Sequence, residues 1–206
     1  MLLSVDNLTV SRGGISLLEG LNFTVSAGQF VSINGGNGVG KTSLLRSIAG
    51  LQPIEKGRIV LHADNFIFAG DANGIKTALT VLENLRFWSA IFGGKNLHEA
   101  LEKFDLRKLK NKFAGKLSAG QKRRLSLARL LLTERPIWLL DEPTVSLDKR
   151  SMQEFSIILK NHLKAGGAAV VATHIDLGLT LSTLCINLDD YQMKNGNINS
   201  SAAAFI

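Results

Sequence analysis
Residues 33–49 read INGGNGVGKTSLLRSIA, and within them Gly35, Gly40, Lys41 and Thr42 satisfy the spacing G-x-x-x-x-G-K-[ST] of a phosphate-binding loop. No other stretch constrains the fold as tightly. Glycines let successive backbone N–H groups turn inward, the lysine adds a point charge, and the threonine hydroxyl is a ligand for Mg²⁺. The flanks agree: FVSIN at 30–34 is a short apolar, β-rich run and 42–49 suits a helix, so strand, loop and helix follow in the required order. The alternative is a glycine-rich turn with no ligand. With glycine near 7% of residues, the four matched positions arise by accident in about one chain of this length in a hundred. We read the stretch 35–43, including Gly36, Asn37, Gly38, Val39 and Ser43, as a nucleotide site.

A chain of 206 residues with 45% hydrophobic composition can bury a full core as one domain and is not a disordered chain. No run approaches 18 consecutive apolar residues, and no basic region precedes the apolar residues of MLLSVDNLTV. Neither a membrane span nor a signal peptide is expected, which places the chain in the cytoplasm. The single cysteine, Cys185, excludes an intramolecular disulfide; within LSTLCINL it reads as a buried small hydrophobe. The net charge of +7 permits contact with nucleic acid or an anionic membrane face. It is concentrated between Lys103 and Arg124, where nine cations face only Glu-free sequence and Asp105, making a candidate docking face against the plainer reading of a solvated helical surface.

Residues 2–10 and 17–25 read as β-segments around the turn Ser11-Arg12-Gly13-Gly14, giving a small antiparallel lobe. RIVLHA and NFIFAG suggest two further strands. From about 80 to 132 helical periodicity dominates, opening on Thr80 three residues before Glu83, a capping-box spacing. This predicts a helical subdomain, approximately 72–133, inserted in a single domain spanning 1–206. Leu79, Leu82, Leu85, Phe87 and Trp88 exceed what one buried face of a short helix needs, so some are expected at the surface. A helix begins near Ser118. PIWLL and AAVVAT lack alternation, as central parallel strands covered on both faces do, and end at Asp141-Glu142-Pro143 and His174. LCINLDDYQMKNGNI reads as an edge hairpin, followed by a frayed tail.

GGNGVGKT at 35–42, LSAGQ at 117–121, IWLLDEP at 137–143, SLD at 146–148 and His174 at a strand end form an ordered set that resembles the ATP-binding subunit of the ABC transporters. The resemblance covers nearly the whole chain. It implies an α/β P-loop NTPase with a mostly parallel core sheet, a small antiparallel β lobe and an inserted helical subdomain. It further implies that Lys41 and Thr42 serve phosphate and Mg²⁺, that Asp141 supports the metal, and that Glu142 polarises the attacking water. His174 matches the family's switch histidine. Ser118, Ala119, Gly120 and Gln121 would face the phosphate loop of a second, identical subunit, so that two chains sandwich two ATP molecules.

Two positions depart from the family. The aromatic residue that stacks on adenine is replaced by Arg12, whose guanidinium can also stack on a base. The glutamine that links the γ-phosphate to the transport domain is replaced by Ala72, with Asp71 or Asn73 as substitutes. Within the family, GIKTALTVLENLRFW, LSAGQKRR and ARLLL look like the ATP-binding subunit of the haem exporter of bacterial cytochrome c maturation. That implies integral membrane transporter subunits as partners, a peripheral place on the cytoplasmic face of the bacterial inner membrane, no direct haem binding and no nucleic acid. The alternatives are a cassette for another export substrate and a soluble ATPase that assembles a cofactor. Soluble members typically carry two cassettes or a long coiled-coil insertion, and neither is visible here.

Overall fold
The computed structural model describes residues 1–61, 66–70, 74–94, 96–175, 177–178 and 183–192. Strands β1 (Leu3–Arg12) and β2 (Ile15–Val25) form a hairpin with Leu3 opposite Val25, and β4 (Lys56–Leu61) adds to the other edge of β1 with Leu3 opposite Leu61. This three-stranded sheet, β2-β1-β4, is antiparallel throughout. The second sheet has the order β5-β6-β7-β3-β8 and is parallel throughout, built from β3 (Phe30–Asn34), β5 (Phe66–Ala69), β6 (Ile137–Asp141), β7 (Ala168–Ala172) and β8 (Thr183–Asn187).

Every residue of β6 and β7 is buried, which is why neither shows polar alternation in sequence. Alternate side chains go to two different cores. Ile137, Leu139 and Val170 join Leu44, Leu45, Leu3 and Leu21 beneath the antiparallel sheet. Trp138, Leu140 and Val171 join Phe155 and Leu159 of α5 (Lys149–Lys164), together with Leu85, Leu101 and Leu125 from helices α2 (Val81–Phe92), α3 (Leu97–Lys103) and α4 (Ala119–Ala128). The helical segment therefore shares its apolar core with the sheet.

Local signals set the helix starts. Thr80 accepts from Glu83 N at 3.2 Å while the Glu83 carboxylate accepts from Thr80 N at 2.7 Å, a reciprocal capping box at the head of α2. The Thr80 N–H and the Thr80 hydroxyl, donating to that carboxylate at 2.7 and 2.8 Å, hold the Glu83 carboxyl below its usual range. Ser118 and Gln121 make the same reciprocal pair at the head of α4. Four residues of 3₁₀-helix, Arg129–Leu132, continue α4.

The structure corrects two expectations, on Cys185 and on Arg123, and bears on two others. Cys185 is exposed, because β8 is the outer strand of the sheet and only Ile186 among its five residues is buried. The segment after β8 makes no hairpin among the described residues: β8 pairs in parallel with β3, and a 3₁₀ turn, Leu188–Tyr191, follows it. The remainder of that segment and the tail lie outside the described residues. Leu85 is fully buried, while Leu79, Leu82, Phe87 and Trp88 are half-buried and so reach the surface in part; Ile91 of α2 is 52% exposed. Arg123 departs from the cationic face altogether, being 4% exposed, whereas Arg107, Lys108, Lys110, Lys112 and Lys116 are exposed. No described helix is long and apolar enough to cross a membrane.

Candidate functional site
Three adjacent strands of the parallel sheet, β6, β7 and β3, deliver the site at their carboxyl ends, where open α/β sheets bind ligands. β3 runs into the phosphate loop and α1 (Lys41–Ile48); β6 ends at Asp141; β7 leads to Thr173 and His174. The ladder reaches into these loops, with Glu142 N donating to Ala172 O at 2.9 Å and Thr173 N to Ile33 O at 3.3 Å.

The phosphate loop turns through left-handed backbone at Gly35 (φ 136°) and Gly40 (φ 119°), conformations that only glycine adopts without strain. A Cβ on Gly35 would sit 2.9 Å from Val39 Cγ1, and one on Gly40 would press on Leu17 and Leu18 at 3.4 Å. The loop is thus a cradle whose two ends, at Gly35 and Gly40, have little room for a side chain. Gly40 caps α1 with no side-chain acceptor, leaving the first-turn N–H groups directed at the loop's concave side. Asp189, from the turn after β8, accepts from Gly36 N at 3.2 Å and braces the loop from outside. Sequence reading missed Asp189, because 153 residues separate the two positions.

Lys41 is 8% exposed, and its Nζ donates to Gly35 O at 2.7 Å and Gly36 O at 3.1 Å. The same Nζ lies 2.9 Å from Nε2 of His174, which is 3.5 Å from Glu142 Oε1. One ring nitrogen cannot serve both neighbours in one state. In the tautomer protonated at Nδ1 it accepts from Lys41; carrying a proton at Nε2, it faces the carboxylate. Thr42 Oγ1 donates to Asp141 Oδ2 at 2.7 Å, and Asp141 is itself 3% exposed. These two oxygens are the hard donors that Mg²⁺ prefers, and a cation bound largely through nucleotide oxygens and water needs few protein ligands. No group of three or more His, Cys, Asp or Glu suited to a metal occurs among the described residues.

A cleft of about 370 Å³ opens over this cluster, walled by Arg12 and Leu17 of the antiparallel lobe, by Asn37, Gly38 and residues 40–43 of the loop, and by Asp141 and Glu142. Arg12 is exposed at its mouth. Ser118, Ala119, Gly120 and Gln121 do not line this cleft. They open α4 with Ser118 and Ala119 exposed, and Gly120 packs on the chain's own loop, where an added Cβ would lie 2.7 Å from Ser146 O. Ser146, at φ 68°, and Glu142, at φ 44°, are both left-handed non-glycine residues in the segment after β6. Ala72, which stands in the place of the missing glutamine, and its expected substitutes Asp71 and Asn73 lie outside the described residues.

The second residue that sequence reading missed is Arg123, taken for one cation of a solvated run. A helical wheel carries the signal: Leu127 and Leu130, at i+4 and i+7 from it, are buried.

A parallel sheet with a glycine loop feeding a helix N-terminus, an acid pair at the next strand's end and a histidine at the third define an ATP-binding cassette. The family model described as ABC transporter matches residues 18–145. The chain is 57% identical over 178 residues to the cytochrome c biogenesis ATP-binding export protein CcmA of Paracoccus denitrificans, covering 86% of this chain and 85% of that protein. It is 54% identical over 184 residues to the protein of the same name from Ruegeria pomeroyi, covering 89% and 90%. A dimeric ATP-binding cassette in a post-hydrolysis state, bound to ADP and Pi, superposes with a TM-score of 0.72 at 26% identity over 84% of this chain and 88% of that one. The chain belongs to the family of cytochrome c biogenesis ATP-binding export proteins, and it is an ATPase of the ABC transporter type.

Proposed function
We propose that the chain hydrolyses ATP to drive a haem exporter of c-type cytochrome biogenesis, acting as a dimer docked on integral membrane subunits at the cytoplasmic face of the bacterial inner membrane. The observation that carries the ATPase reading is the cluster at the ends of β3, β6 and β7: Lys41 Nζ, His174 Nε2 and Glu142 Oε1 in sequence at 2.9 and 3.5 Å. The family reading and the relatives' printed names carry the export reading.

In this scheme the loop N–H groups and Lys41 hold the β- and γ-phosphates, exchanging the Lys41 bonds to Gly35 O and Gly36 O for phosphate oxygens. Thr42 and Asp141 hold Mg²⁺, whose charge offsets that of the phosphates. Glu142 accepts a hydrogen bond from water and aims its oxygen at the γ-phosphorus; the new P–O bond forms as the bond to the leaving ADP oxygen breaks. His174 senses the γ-phosphate between Lys41 and Glu142. Arg12 stacks on the adenine. Ser118 to Gln121, turned away from this chain's own cleft, reach the γ-phosphate of a partner copy. Residues 72–133 are the helical unit that receives the membrane subunits.

The test is made in cells. With Glu142→Gln as the only copy, covalent haem staining of membrane fractions should lose mature c-type cytochromes while other haem proteins persist. Normal c-type cytochromes in a variant with verified loss of ATPase activity would redirect the reading to a different export substrate.

A further inference from the structure
The buried guanidinium of Arg123, on α4, donates Nε to Pro143 O at 3.0 Å, Nη1 to Gly70 O at 2.8 Å, and Nη2 to both Asp141 O at 2.9 Å and Glu142 O at 2.7 Å. Three of these acceptors are consecutive, and they belong to the turn that carries the acid pair. We propose that Arg123 is a positioning residue for hydrolysis, its planar fork holding the backbone of residues 141–143 so that the Glu142 carboxylate stays beside His174 and over the phosphate loop. This rests on the ATPase reading above.

The turn needs such a partner. Glu142 stands at φ 44°, a conformation that is strained for a non-glycine residue and persists only where the surroundings impose it. Pro143 bars the right-handed helical alternative at Glu142. The kink points the carbonyls of Asp141, Glu142 and Pro143 to one side, toward α4, and buried carbonyls require donors. Arginine alone offers five N–H groups in a fixed plane; lysine offers three on a single atom. Asp141 is held independently as well, paired in the β ladder with Ala172. Glu142 also donates its N–H to Ala172 O at 2.9 Å and accepts from Val145 N at 3.3 Å, and the fork adds the shortest bond to its carbonyl, at 2.7 Å, at the residue with the strained φ. None of these four bonds goes to the phosphate loop, so hydrolysis can be lost while nucleotide binding persists. Gly70 O, the fourth acceptor, directly follows β5, so the same fork also ties the end of that strand to α4.

The full chain, purified together with the proteins that accompany it from membranes, supplies the test. Arg123→Lys should lower kcat about 100-fold, the loss a displacement near 1 Å can produce, while KM and the affinity for a fluorescent ATP analogue change less than about threefold. Arg123→Met should be slower than Arg123→Lys, which restores part of the donor set; where the methionine variant does not fold by circular dichroism, the lysine variant decides. Glu142→Gln and the double variant with Arg123→Lys should share one residual rate, since both changes act through the same carboxylate. An unchanged kcat in Arg123→Lys, a rate loss of equal fold in the Glu142→Gln background, or a parallel loss of nucleotide affinity would each overturn the proposal. An inactive parent chain overturns the ATPase reading along with it, whereas an active parent indifferent to Arg123→Lys overturns this inference alone.

Discussion
Glu142 concentrates the chemistry and the strain of the site in one residue, with its carboxylate 3.5 Å from His174 and its backbone in the left-handed region. Replacing it by glutamine keeps the shape and removes the charge that orients water. Hydrolysis should fall by at least about 100-fold, the usual range for loss of a proton-handling group being 10²–10⁴, with nucleotide affinity preserved; a coupled phosphate-release assay beside equilibrium binding checks both. A second residue-scale expectation concerns pH. His162 stacks on Trp138 with ring centroids 3.8 Å apart and 9° between planes, and the space its ring occupies is the reason for Gly167, where a Cβ would collide with it. Burial pushes the His162 pKa below its ordinary value, against the opposing pull of the Ala168 and Pro136 carbonyls. The folded chain therefore refuses a proton that the unfolded chain accepts near pH 6.5. Stability is fully present above that pH and declines as pH falls through it toward the depressed folded value. Urea midpoints between pH 7.5 and 5.5 should show the decline, and His162→Phe, which keeps the stack, should flatten it. At this scale motif spacing identified Gly35, Lys41 and Thr42, and strand ends together with the family resemblance identified Asp141, Glu142 and His174, but neither could place Arg123 or Asp189. Their partners are backbone atoms far along the chain, and backbone atoms leave no signature in sequence.

Among the elements, α4 joins both halves of the molecule. Its start near Ser118 was legible, whereas the reciprocal cap of Ser118 and Gln121 and the close packing of Gly120 against Ser146 O were not. Two substitutions at Ser118 separate capping from recognition. Ser118→Ala removes the cap acceptor and should cost about 1 kcal/mol of stability, read as a lower melting temperature. Ser118→Asp keeps a good cap acceptor, so stability should hold, while its charge faces a partner's γ-phosphate and should abolish ATP turnover. A Ser118→Asp variant that hydrolyses ATP at the parent rate would show that α4 does not address a phosphate. The strands teach a similar lesson. β6 and β7 were recognisable because burial on both faces leaves continuous apolar runs. Cys185 was misread as buried because LCINL has the same apolar look on an outer strand, where three of the five β8 residues are exposed.

For the whole molecule, the exposed start of α4 and the open phosphate cleft cannot meet within one chain, which is the physical motive for a dimer. In Glu142→Gln with ATP and Mg²⁺, bound nucleotide should persist at the interface. Size-exclusion chromatography should then move the protein from monomer to dimer, and a profile unchanged by nucleotide, alone or with co-purifying proteins, would remove the sandwich from the scheme. The exposed cations from Arg107 to Lys116 surround Phe113, itself 51% exposed, so this face carries charge and apolar surface together. By itself, the sequence determined the class of fold and the site's chemical groups: glycines that tolerate left-handed backbone, hydroxyl and carboxylates for a hard cation, unalternating strands for a doubly covered parallel sheet. Those are local properties, fixed by conformational preference and by periodicity of burial. Only the tertiary structure decided that β6, β7 and β3 lie side by side, which brings Lys41, Asp141 and His174 together from positions up to 133 residues apart. It also decided which cation of the basic run would be buried to hold the catalytic turn. Strand order and the fate of backbone carbonyls depend on contacts between distant segments, and those contacts form only when the whole chain closes on its two cores.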